Sequence, residues 1–169
     1  MTNASTATTH DLRQAIADQI RRSLEGDSWH GPAVLEALAG VTATDAAARP
    51  LRDAHTIWEI VRHLAATYHL VVRRAGGESI RLTPDEDWPP IADESPEAWD
   101  RALAELRWRN AQIRNAVLQF PEGRLNQPLV ASTPETALTQ FVGIAVHDAY
   151  HAGQIVLLRR AVRAAPRGP

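Results

Sequence analysis

Four stretches of the chain repeat apolar residues at helical spacing, and none alternates in the way a half-buried strand does. Leu12, Ile16, Ile20 and Leu24 recur in steps of four and predict a helix from about Thr9. Gly26-Asp27-Ser28-Trp29-His30-Gly31-Pro32 interrupts it, and Val34, Leu35 and Leu38 resume the pattern up to Gly40. Either one kinked helix or two collinear pieces fit, because Gly and Pro forbid an unbroken hydrogen-bond ladder. Val41 to His55 is a connector rich in Thr, Ala and Asp, with room for one short helical turn.

The second helix declares its own start. Thr56 followed three residues later by Glu59 is a capping box, and Ile57, Ile60, Val61, Leu64, Tyr68, Val71 and Val72 form its apolar face as far as Gly76-Gly77. Glu78 to Glu94 reads as a long loop containing Trp88-Pro89-Pro90. Ser95-Pro96 starts a third helix, whose seam runs Trp99, Leu103, Leu106, Asn110, Ile113, Val117, Phe120. Thr133-Pro134 repeats that signal, and a fourth helix with Leu138, Phe141, Ile144, Ala145, Ile155 and Leu158 runs to about Arg160. The expectation is an all-α chain of four main helices. One domain spans 9–163, between a disordered 1–8 and a flexible 164–169.

Composition narrows the partners. The net charge of −2 offers no basic face for nucleic acid or an anionic membrane. No apolar run suggests a bilayer span, and Met1 to Thr9 lacks a signal-peptide core, so a cytoplasmic location is expected. The chain contains no cysteine, and its 18 basic residues are all arginine. It therefore has no thiolate of its own and no lysine for Schiff-base or P-loop chemistry.

His147 and His151 carry the candidate chemistry. On a helix, residues four apart leave the same face about 6 Å apart along the axis, a reach at which two imidazoles can share one metal ion. The plainer reading is a hydrogen-bonded pair. His63 lies at the edge of the buried stripe of the second helix; it is either a core histidine or the third member of a facial ligand set with open positions. Glu59 could serve as a ligand or base near His63, although the capping box accounts for it. Gln154 falls one turn after His151, where it could steady a ligand. Asp148 and Tyr150 flank the pair on other faces, with Asp148 expected in solvent or in an ion pair. Trp29 and His30 either touch substrate at a pocket mouth or are a packed Trp beside an exposed His. Asn110 is either a register-setting core residue or a pocket residue. His55 is expected to be structural, and His10 and His69 lie off the site.

Three pieces together resemble the DinB/YfiT-like superfamily of metal-binding four-helix bundles. They are Trp29-His30-Gly31-Pro32, then His55-Thr56-Ile57-Trp58-Glu59 leading to His63, then His147-Asp148-Ala149-Tyr150-His151-Ala152-Gly153-Gln154. The resemblance implies an up-down-down-up bundle, commonly a homodimer, with His63, His147 and His151 holding one divalent metal. Zinc or nickel comes first, with iron and manganese as alternatives. It also implies a small-molecule substrate and no DNA. The expected activity is metal-dependent activation of a low-molecular-weight thiol for transfer to a small electrophile, with Arg62 or Arg159 to steer a carboxylate. A metal-dependent hydrolase and a non-enzymatic, metal-stabilised ligand-binding module are the alternatives. Histidines must be neutral to ligate, so unperturbed imidazoles predict metal loss as the pH falls through about 6.

Overall fold

The computed structural model describes residues 11–164, and within them the only pairing of the β type is a single bridge between Pro128 and Thr136. The segment 1–8, His10 and the last five residues lie outside the described range. Four long helices, α1 (Leu12–Glu25), α4 (Ile57–Ala75), α6 (Pro96–Gln119) and α7 (Ala137–Ala164), are joined by short ones: α2 (Val34–Ala37), α3 (Ala43–Ala47) and α5 (Pro84–Asp87).

The helix starts follow local chemistry. Asp11 caps α1 by accepting from the Arg13 amide at 3.0 Å. At Thr56 both halves of the capping box form: the Glu59 amide donates to Thr56 Oγ1 at 3.1 Å, and the Thr56 amide donates to Glu59 Oε2 at 2.7 Å. Ser95 Oγ accepts from the Ala98 amide at 3.2 Å and opens α6. The break after α1 is real. Gly26 has φ 145° and Asp27 has φ 65°, so the chain leaves the helical region and α2 forms as a separate turn.

Three element boundaries differ from the sequence reading. The loop 78–94 contains α5, capped by Thr83 with Glu86; one turn is too short to leave a periodic pattern. The fourth long helix does not begin at Thr133-Pro134. There Thr133 Oγ1 donates to the Val130 carbonyl, and the helix starts three residues later, with Thr136 Oγ1 accepting from the Thr139 amide at 3.1 Å. It also runs past Arg160 to Ala164.

Helix α7 is, by length and composition, apolar enough to cross a bilayer, which the sequence reading did not anticipate. It packs on α1, α2 and α4, and burial in a bundle selects the same apolar composition. The long helices form a closed circuit of contacts: α1 packs on α6 and α7, and α4 packs on α6 and α7. Ile20, Leu24, Ile57, Trp58, Leu64, Tyr68, Leu106, Ile113, Phe141 and Ile155 fill the centre. Each large apolar side chain removed from water there stabilises the fold by about 1.5–3 kcal/mol before entropy costs. The α6 seam is buried as expected at Trp99, Leu106, Asn110, Ile113, Val117 and Phe120, with Leu103 at its edge.

Candidate metal centre

The bundle brings His63 of α4 against His147 and His151 of α7, and one side-chain nitrogen from each lies within 4.8 Å of the others. His147 Nε2 stands 3.1 Å from His63 Nε2 and 3.0 Å from His151 Nε2. The opposite ring nitrogens set the tautomers. His63 Nδ1 is 2.9 Å from the Asp87 carbonyl and 3.1 Å from Asp87 Oδ1, and His151 Nδ1 is 2.7 Å from Gln154 Oε1. Those oxygens accept, so the protons of both rings belong on Nδ1, and their Nε2 lone pairs point at His147.

Burial, reinforced by the neighbouring histidines, pushes His147 down to about 4. Burial likewise takes His151 to about 4 against the opposing pull of Gln154. At neutral pH these rings are uncharged, so repulsion between imidazolium ions does not arise, but a single Nε2–H on His147 can be donated fully to only one of the two facing Nε2 lone pairs, which leaves the other contact unsatisfied. A cation among them removes that conflict, and the separation suits two ligands of one ion with metal–nitrogen bonds of about 2.1 Å. His147 Nδ1 is buried with no hydrogen-bond partner, so nothing on that side competes for the ring's orientation. The donor set fits a divalent metal ion.

Residues 28–155 match the DinB superfamily, well over half of the 169-residue chain. The chain belongs to the DinB superfamily. No curated protein matches it, and no solved structure does. The match runs from just after α1 into α7 and includes all three histidines.

In this DinB-superfamily chain the histidines open onto a cavity of about 660 Å³. Two of its walls escaped the sequence reading. Trp88 stacks on His63 with ring centroids 4.0 Å apart, and His55 stacks on Trp88 at 3.5 Å, both within 4° of parallel. His55, expected to be structural, therefore lines the cavity. Asp87 supplies both oxygens near His63 Nδ1. A tryptophan inside a long polar loop was the available signal; its partner helix, separated by 25 residues, was not visible from spacing.

The other expected site residues are distributed as follows. Gln154 holds His151 through Oε1 and donates through Nε2 to the Tyr150 hydroxyl at 3.0 Å. Tyr150 is largely exposed but edges the cavity, rather than facing away from it. Glu59 is occupied by its cap and by Arg49 at 2.7 Å, and it does not line the cavity. Trp29, expected to touch substrate or to pack, is not packed and does not line this cavity: it is 90% exposed, with its ring edge-on to His30. His30 borders a separate apolar groove between α1 and α7. Asn110 is fully buried, donates to the Ile20 carbonyl at 3.2 Å, and lies outside the cavity. Arg62 donates to the Pro90 carbonyl, and Arg159 to the carbonyls of Ala37 and Ala39.

Asp148 is the clearest correction. Instead of solvent or an ion pair, it finds the Ser23 hydroxyl at 2.6 Å and the Tyr68 hydroxyl at 2.7 Å, and it is fully buried. One residue along a helix is a rotation of about 100°, which turns Asp148 from the histidine face to the seam with α1 and α4. Burial pushes its carboxyl up to about 7, against the two hydrogen bonds that favour the ionised form. The same burial, with Asp148 alongside, raises the Tyr68 phenol well above its usual range.

Proposed function

We propose that this protein is a metal-dependent enzyme that activates a low-molecular-weight thiol for transfer to a small electrophile, on an up-down-down-up bundle. The helix pairings support that arrangement. Trp58 meets Trp99 and His69 meets Arg109, so α4 and α6 run together. His63 meets His147 while Arg74 meets Gln140, so α7 runs against α4. Ser23 meets Asp148, and the earlier α1 residues Leu12 and Ile16 share a groove with the earlier α7 residues Phe141 and Val142, in step with a parallel α1 and α7.

The observation that carries the reading is the convergence of three imidazole Nε2 atoms at the wall of an open cavity. His63, His147 and His151 would hold the ion, zinc or nickel first. A bound divalent ion acts as a Lewis acid and lowers the pKa of a thiol that reaches it. Asp87 and Gln154 keep the ligand nitrogens unprotonated by taking the Nδ1 protons. Ile60, Leu157 and Leu158 give the cavity an apolar side. A hydrolase would need a general base for water, and neither residue the sequence offered for that task, Glu59 or His30, reaches the cavity. A thiol reaching the ion would give its proton to solvent or to a wall residue such as His55 or Asp87, and the same residues would serve a bound water, so hydrolysis is the second reading.

Metal content by inductively coupled plasma mass spectrometry, on protein without a histidine tag, tests the centre. About one equivalent in the wild type and none in His147→Ala supports the reading. No metal in either leaves a ligand-binding module. We also take the protein to be a homodimer: exposed Val142 and Val146 border an apolar groove with Leu12 and Ile16. Sedimentation equilibrium of the wild type and Val146→Glu checks that assignment.

A further inference from the structure

Each histidine of the centre has two ring nitrogens, and the fold treats the three rings unequally. His63 donates from Nδ1 to the Asp87 carbonyl at 2.9 Å, and His151 donates from Nδ1 to Gln154 Oε1 at 2.7 Å. The Gln154 amide is held in that sense, because its Nε2 donates to the Tyr150 hydroxyl. A neutral imidazole carries one proton, so both rings present a bare Nε2 to His147. His147 has the reverse arrangement. Its Nε2 faces those two acceptors at 3.1 Å and 3.0 Å, while its Nδ1 is buried with no hydrogen-bond partner among the described residues. With acceptors on one side only, its proton belongs on Nε2, shared between His63 and His151.

We infer that the metal-free centre is closed by its own hydrogen bonds, and that taking up an ion makes His147 exchange tautomers, from Nε2–H to Nδ1–H. The exchange rests on the proposed metal-dependent reading; the tautomer of the metal-free ring depends on the hydrogen bonds alone. An ion needs the Nε2 lone pair of each ring, and a neutral His147 can offer its own only with the proton on Nδ1. The proton count does not change: one leaves Nε2 to solvent in the cavity that His147 lines, and one is taken up at Nδ1. His63 and His151 need no such step, since Asp87 and Gln154 already hold their protons on Nδ1. Those two rings are the first ligands an ion meets, and His147 completes the set last. Its new Nδ1–H then has no acceptor, a cost that the other two rings do not carry.

Long-range proton–nitrogen correlation spectra of the 15N-labelled full chain at pH 7.5 test this. They are recorded on metal-free protein and after one equivalent of zinc, with binding followed by calorimetry. The nitrogen shifts separate protonated, bare and metal-bound ring nitrogens, and through-bond correlation to the backbone assigns each ring. The expected metal-free pattern is a protonated Nδ1 at His63 and His151 and a protonated Nε2 at His147. Zinc should move the His147 proton to Nδ1 and leave the other two protons where they were. In metal-free Gln154→Ala, His151 loses the acceptor that fixes it and should become a mixture of both tautomers. Circular dichroism shows that this variant is folded.

A metal-free His147 already protonated on Nδ1 overturns the inference, as does a Gln154→Ala spectrum identical to that of the wild type. If zinc binds while His147 keeps its proton on Nε2, the exchange is overturned and only His63 and His151 are ligands. If no zinc binds, the metal-dependent reading fails and the exchange with it, whereas the expected metal-free pattern would still support closure by hydrogen bonds.

Discussion

Trp88 lies flat on His63, with ring centroids 4.0 Å apart and planes 4° from parallel. A loop residue thus fixes the face of a candidate metal ligand, while its neighbour Asp87 fixes the edge. In the orientation these two contacts hold, Nε2 of His63 faces α7 while Nδ1 is satisfied by Asp87.

Removing that stack should loosen the centre. Trp88→Ala is expected to weaken metal retention about tenfold, the lower end of what outer contacts to metal ligands contribute. Competition with a chromophoric chelator measures it. Retention equal to wild type would mean that Asp87 alone is sufficient.

Proton competition for the metal should begin lower than free imidazole suggests. Burial holds His147 and His151 at about 4 in the fold, against an ordinary value of about 6.5. A lowered folded pKa gives a stabilising contribution that is present above about 6.5 and lost as the pH falls through about 4. The sequence-based expectation of release near pH 6 is therefore revised downwards. Equilibrium dialysis at pH 7, 6, 5 and 4 should find metal retained through pH 5 and released near 4.

Asp148 should act in the opposite sense. Its folded pKa is pushed up to about 7, so its contribution is full below about 4 and is lost as the pH rises through 7. Asp148→Asn removes that titration. The stability of the wild type relative to the variant should fall by about 2 kcal/mol between pH 5 and pH 8, read from urea midpoints of metal-free samples. The histidine terms are common to both proteins and cancel in the difference. A pH-independent difference would show the carboxyl ionised throughout.

The α4 cap gives a simpler check. Thr56→Ala leaves the Glu59 amide without its acceptor, and a loss of about 1 kcal/mol in unfolding free energy is expected. Thermal denaturation of the two proteins reports it, and Thr56→Ser should recover most of the loss.

The helices were legible because their signals are local. Thr56 with Glu59 and Ser95 with Pro96 mark starts by chemistry within one turn, and period-four apolar residues mark the faces. The same locality misled at Thr133-Pro134, where an identical signal closes a turn instead. Two histidines of the centre were visible as a pair on one helix, and the third needed the facing helix to be aligned. Asp148 was misread because its partners, Ser23 and Tyr68, lie 125 and 80 residues away. Asp87 and Trp88 were passed over because a loop carries no periodicity to aim its side chains. The roles of Trp29 and Asn110 depended on which residues face a common cavity, and spacing along one helix does not determine that.

The buried trio Ser23, Tyr68 and Asp148 ties three long helices together immediately beside the histidines. Tyr68 follows His63 by five residues and Asp148 follows His147 by one, so the hydroxyl–carboxyl bond works as an alignment pin between α4 and α7. Sliding either helix by a turn would break it and leave a buried carboxyl stranded. The three histidine nitrogens are thus gathered by a device made wholly of protein, and an arriving ion would meet a preorganised socket rather than having to draw two helices together.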